Sequence, residues 1–176
     1  MTNFAFLPDT FRAIAEPAVR AEGHIMGDPR AACFHARFTL EAIVHWLYRH
    51  DAGLRMPYDR SLGALLHEPS FQHLLPEAVF QKARVIQKVG NQAVHSSRPM
   101  RQYDALQVVR ELHHLCYWLV RTYALDAPRA SAAWNDACRR LRPLARSCRA
   151  RNLCVIGVRS HIPALCRLAG SQICCG

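Results

Sequence analysis

Apolar residues in this chain return every three or four positions through four long segments, and no stretch alternates with period two for long enough to make a strand. In the segment opened by Asp28, the residues Ala32, Cys33, Ala36, Leu40, Ile43, Val44 and Leu47 fall on one face of a helix of about twenty residues ending near His50. Asp28 followed by Pro29 supplies a side-chain cap and a proline in the first turn. A later segment, from about Gln102 to Tyr123, lines up Ala105, Leu106, Val109, Leu112, Cys116, Leu119, Val120 and Tyr123. Between these two, Pro76 starts a helix with Glu77 in its first turn, where a carboxylate meets the positive end of the dipole. Its inward face reads Val79, Phe80, Ala83, Ile86 or Gln87, Gly90, Ala93 and Val94. The first helix, from about Pro8 to Gly23, carries a stripe of Phe11, Ile14, Ala15, Ala18 and Val19, and Pro17 is expected to kink or shorten it. After the second helix, "DAGLRMPYDRS" reads as a loop. Asp59 or Ser61 then caps a short helix bearing Leu62, Leu65 and Leu66, and "EPSFQHLLPE" reads as a turn with room for one helical turn. The fold expected is all-α, a bundle of four to five helices, followed by an irregular or partly disordered C-terminal tail.

The 176 residues, 51% hydrophobic and 20% charged, suffice for one domain with a real core, placed at residues 1–127. No run of about 18 uncharged apolar residues occurs, and the N-terminus lacks a basic start and an apolar stretch, so neither a membrane span nor a signal peptide is expected and the location implied is cytoplasmic. The formal charge of +10 is unevenly placed: residues 1–127 hold 14 Lys+Arg against 12 Asp+Glu, whereas 128–176 hold 9 Arg and a single acid, Asp136. A basic nucleic-acid face is therefore not a property of the helical part as a whole. Cysteine divides at the same place. Cys33 and Cys116 sit among apolar helical neighbours as reduced core thiols, while Cys138, Cys148, Cys154, Cys166, Cys174 and Cys175 crowd the tail. A frameshifted or otherwise unselected tail accounts at once for the missing acids, the missing lysine and the excess cysteine. A basic nucleic-acid arm and a metal module are the other readings, the last weakened by the lack of any CxxC pair at the spaced cysteines.

The stretch "KVGNQAVHSSRP" at residues 88–99 departs from helix-forming composition, since a glycine inside a helix costs about 1 kcal/mol relative to alanine. Gly90 there would let another helix approach closely. Asn91 can hydrogen-bond to a neighbouring helix or to the ring of His95, four residues on along the same face, and the two would lock the helix end against the chain returning through Ser96–Pro99. Arg37 and Glu41, also four apart, can pair with each other. A catalytic alternative uses His95 as acid or base on an RNA hydroxyl or leaving oxygen, with Asn91 beside it and Lys88 or Arg98 supplying positive charge to the phosphate. His113, His114 and Cys116 resemble a metal cluster only in one-letter code, because adjacent helix positions point about 100° apart. Tyr117, Trp118 and Tyr123 read as core and rim aromatics, with Trp118 a candidate to face a downstream domain.

"NFAFL" from Asn3, "DPRAACFHARFTLEAIVHWLY" from Asp28, "VIQKVGNQAVHSS" from Val85 and "ALQVVRELHHLCYWLVRTYA" from Ala105 together resemble the domain of unknown function 4145, in the form found ahead of the helicase part of type I restriction enzyme R subunits and related helicase proteins. The resemblance covers residues 3–124 and carries Arg37, Glu41, Gly90, Asn91, His95, Trp118 and Tyr123 as its structural motif. It also implies a distant similarity to helical RNase-like, HEPN-type domains of prokaryotic defence systems. Nucleases of that group use an arginine followed four to six residues later by histidine; His95 matches the histidine, while the arginine position holds Lys88 or is displaced. No GxxxxGK[ST] loop and no nuclease carboxylate–lysine set occurs, so no cofactor is called for and neither helicase nor restriction activity is expected in this chain. The resemblance implies a non-catalytic accessory domain, ended before a motor and nuclease, that contacts restriction-modification subunits or nucleic acid. A metal-independent endoribonuclease and nucleic-acid binding through the basic tail are its rivals, and a homodimer is compatible with the chain.

Overall fold

A computed structural model of the chain describes residues 2–124 and Trp134. The expectations concerning residues 128–176 therefore lie outside the described residues, apart from Trp134. The described part is all-α: a 3-10 turn at Asp9–Phe11, then α1 (Arg12–His24), α2 (Pro29–His50), α3 (Leu62–His67), α4 (Pro69–Leu74), α5 (Glu77–His95) and α6 (Gln102–Tyr123). Among the described residues no helix is long and apolar enough to cross a membrane.

Local chemistry sets the ends of these elements. The Asp28 side chain accepts from the Ala31 amide, and Pro29 fills the next position, where its missing N–H leaves no helical bond unmade. Ser61, rather than Asp59, caps α3, with Asp59 in turn accepting from the Ser61 amide and hydroxyl. "PSFQHL" after Glu68 is a six-residue helix, because Glu68 accepts from the amides of Ser70 and Phe71 and so supplies the missing first-turn partners.

One expectation about helix length and two about stripes are corrected. Pro17 does not shorten α1, which runs through it to His24; the bond that proline forgoes is to the carbonyl of Ala13, an exposed residue near the helix start. The inward stripe of α1 is Ile14, Pro17, Ala18 and Ala21, leaving Val19 40% exposed one position off it. On α5, Ala83, Ile86, Gly90 and Ala93 are buried but Val94, on the last turn, is 46% exposed.

Helix α2 packs on α1, α5 and α6, and α6 packs on α5, α2 and α1, so the four long helices enclose one core. Small residues at Ala32, Cys33 and Ala36 in the first half of α2 bring neighbouring backbones close; Leu40, Ile43, Val44 and Leu47 fill the second half. The short helices cover the end of the bundle through Leu62, Leu65, Leu66 and Phe71, and the Tyr48 hydroxyl donates to the Leu65 carbonyl at 2.9 Å. At the other side the N-terminal segment is held by Glu22, whose carboxylate accepts from the Thr2 hydroxyl and, at 3.1 and 3.2 Å, from the Asn3 amide, with Phe4 buried beneath.

Candidate functional site

The 88–99 stretch meets α2 midway along the bundle. Gly90 is buried against Arg37: a Cβ at Gly90 would lie 2.9 Å from Arg37 Cγ, 3.0 Å from its Cδ, and closer still to its Cβ. Only a residue without a side chain lets the arginine stem cross the α5 backbone there. The head of the same side chain then turns to polar partners. Arg37 Nε donates to Asn91 Oδ1 at 2.8 Å and Nη1 donates to Glu41 Oε2 at 3.3 Å. One half-buried guanidinium thus joins the middle of α2 to the glycine–asparagine step of α5.

His95 has a different position from the one expected. It is exposed on the last turn of α5 and makes no hydrogen bond or ion pair among the described residues, so it does not lock the helix end. Asn91 bonds to the neighbouring helix, through Arg37, and not to the imidazole. Arg30 performs the locking: Nη1 donates to the Ala93 carbonyl at 2.7 Å and the Ser96 carbonyl at 2.5 Å, and Nη2 donates to the Arg98 carbonyl at 2.6 Å. These are carbonyls at and just beyond a helix C-terminus, where no helical donor remains, and a planar fork can serve several of them together. Arg30 lies outside the residues that the helical pattern marks. Its signal was an electrostatic mismatch, a cation in the first turn of a helix, where the dipole disfavours it unless it has a partner elsewhere.

The other cations near the histidine divide between free and engaged. Lys88 is exposed two turns earlier, about 10 Å along the helix axis from His95 by helical rise, and has no partner among the described residues. Arg98 is exposed, its backbone fixed by Arg30 and by its amide donating to Ser96 Oγ at 3.2 Å. Arg84 donates to the His67 ring. General acid–base work on a phosphodiester needs a cation held against the same phosphoryl oxygens as the imidazole. The two arginines held in place here, Arg30 and Arg37, direct their donors at protein groups.

At the far end of the core, the Tyr123 hydroxyl donates to Asp51 Oδ2 at 2.6 Å, joining the last residue of α6 to the cap of α2. Burial, and then the Asp51 carboxylate, push the Tyr123 phenol well above its ordinary range. Its ring meets Trp46 edge-on at 5.3 Å and Trp118 at 6.0 Å. Trp118 is half-buried and borders an open groove of about 470 Å³ between α5 and α6, lined with Val79, Lys82, His114, Tyr117 and Arg121. Asp51 and the groove were not singled out from the sequence, because both depend on which helices become neighbours.

His113 and His114 part company as the helical angle requires. His113 is buried against Phe4, Phe6 and Trp134, with ring centroids at 5.7, 5.1 and 5.3 Å, whereas His114 lies toward the groove. Among the described residues no three His, Cys, Asp or Glu side chains converge as a metal site. Cys33 and Cys116 are buried free thiols; burial pushes Cys33 up to about 12 and Cys116 higher.

A family model described as "Domain of unknown function (DUF4145)" matches residues 19–136, well over half of the chain. No curated protein and no solved structure matches it.

Proposed function

The chain belongs to the DUF4145 family, and from that premise we propose that it acts as a non-catalytic helical accessory domain that holds a partner, in an assembly of the restriction or helicase type. The observation that carries this reading is the mutual engagement of Arg37, Asn91 and Glu41 over Gly90, which makes the polar motif a brace between α2 and α5. One feature supports contact with a partner. Phe34 and Phe38, one turn apart on α2, are 44% and 52% exposed beside that brace, an arrangement of aromatic surface that soluble domains seldom leave to water without a use. The restriction-associated setting rests on the likeness of the four quoted segments to the R-subunit domains.

The test is cleavage of a fluorescent single-stranded RNA by the full chain and by His95→Ala. Neither protein should cut above background. Cleavage by the wild type that disappears in His95→Ala would replace this reading with the endoribonuclease one.

A further inference from the structure

The groove between α5 and α6 shares no residue with the Arg37 brace and has a charge pattern of its own. Its floor and walls are apolar and aromatic, from Val79, Tyr117 and Trp118. Three groups able to carry positive charge, Lys82, His114 and Arg121, share it. A single carboxylate serves two of them: Glu111 Oε2 accepts from Lys82 Nζ and lies 3.6 Å from His114 Nδ1, a buried atom without a hydrogen-bond partner. Arg121 is exposed and has no partner among the described residues. An apolar trough with one uncompensated guanidinium at its edge is complementary to an apolar side chain next to a carboxylate.

We propose that this groove docks an acidic polypeptide segment, with an apolar side chain seated on Trp118 and a neighbouring carboxylate paired to Arg121. The proposal rests on the reading of the chain as a partner-holding domain and specifies the partner's chemistry. A polynucleotide suits the groove less well: residues 1–127 carry only two more cations than acids, too little to draw a chain of phosphates from a distance, whereas one carboxylate beside an apolar side chain needs only Arg121. A second copy seated groove to groove on a two-fold axis would bring two unpaired Arg121 guanidiniums together. The chain's own residues 128–176, with 9 Arg and one acid, have the wrong charge.

The experiment is fluorescence anisotropy on the full chain with three labelled probes: a short helical peptide with leucines at three-and-four spacing and glutamates elsewhere, its lysine-for-glutamate counterpart, and a short oligouridylate. The glutamate peptide should bind at least about tenfold more tightly than the lysine peptide, with Trp118→Ala weakening it and Arg121→Glu reversing the order of the two peptides. Arg121 is exposed, so its variant should keep the wild-type melting temperature and report on binding alone. Several results would overturn the proposal. These are no binding of the glutamate peptide, binding that survives Arg121→Glu unchanged, oligouridylate bound more tightly through Trp118, and self-association of the chain abolished by Arg121→Glu. RNA cleavage dependent on His95 would instead remove the accessory reading, and the two failures are told apart by the probe that shows them.

Discussion

The stem of Arg37 lies directly on the backbone of Gly90, α2 against α5, and one residue further on its Nε is bonded to Asn91 Oδ1 at 2.8 Å. One side chain therefore needs its neighbour to be small at one position and polar at the next, which explains why a glycine persists inside a long helix.

Gly90→Ala should destabilise the protein by about 1–3 kcal/mol despite the gain of about 1 kcal/mol in helix propensity, because the added carbon meets the stem of Arg37, not its mobile end. Urea denaturation of the full chain measures it. A more stable variant would show that the contact yields freely.

Arg30→Ala should release the carbonyls of Ala93, Ser96 and Arg98. The expected cost is about 1–3 kcal/mol, with hydrogen exchange accelerated in the last turn of α5 and in the following loop. Arg30→Lys should recover only part, since an ammonium lacks the planar fork. Unchanged exchange in that turn would mean that the helix end is held by something else.

Acid should weaken the fold before ordinary carboxylates titrate. Burial, with His114 adding to it, lowers the His113 pKa from its ordinary 6.5, against the opposing pull of Glu22 and a hydrogen bond with the Asn3 backbone. His35 moves the same way through burial, His24 and Arg20. The unfolded chain then binds these protons at a higher pH than the folded one, so the stabilisation is whole above about 6.5 and is lost as pH falls through the lowered folded values. Melting temperatures taken from pH 7.5 down to about 5 should fall, and His113→Phe, which keeps a ring among Phe4 and Phe6, should reduce that fall without removing the His35 share. A flat profile in the wild type would contradict the burial of a neutral imidazole.

Cys33 and Cys116 should resist alkylation in the native protein at neutral pH, because the thiolate is the reactive form and burial raises both thiols. Peptide mapping after labelling should find both unmodified until denaturant is added. Rapid native labelling of either would reveal an opening of the core near it.

Much of the architecture can be read from the residue pattern. The bounds of α2, α5 and α6 follow from Asp28-Pro29, Pro76-Glu77 and the apolar spacing that ends at Tyr123, all of them short-range effects of caps, dipoles and proline. Val19 and Val94 are exposed against the expectation because a wheel gives the direction of a side chain but not which neighbouring helices cover it. For the site, the pairing of Arg37 with Glu41 is a four-residue helical relation and so was visible, while its bond to Asn91, 54 residues away, was not.

From the residues alone came a helical chain, its capped ends, and an anomalous glycine that required some close approach. Which residue made the approach was decided by the antiparallel register of α2 and α5, and with it the assignment of Arg30, not His95, to the end of the helix. The reason is physical: backbone propensity and capping act within a turn or two, whereas a guanidinium finds its acceptors only after packing of the apolar faces has set two distant segments side by side.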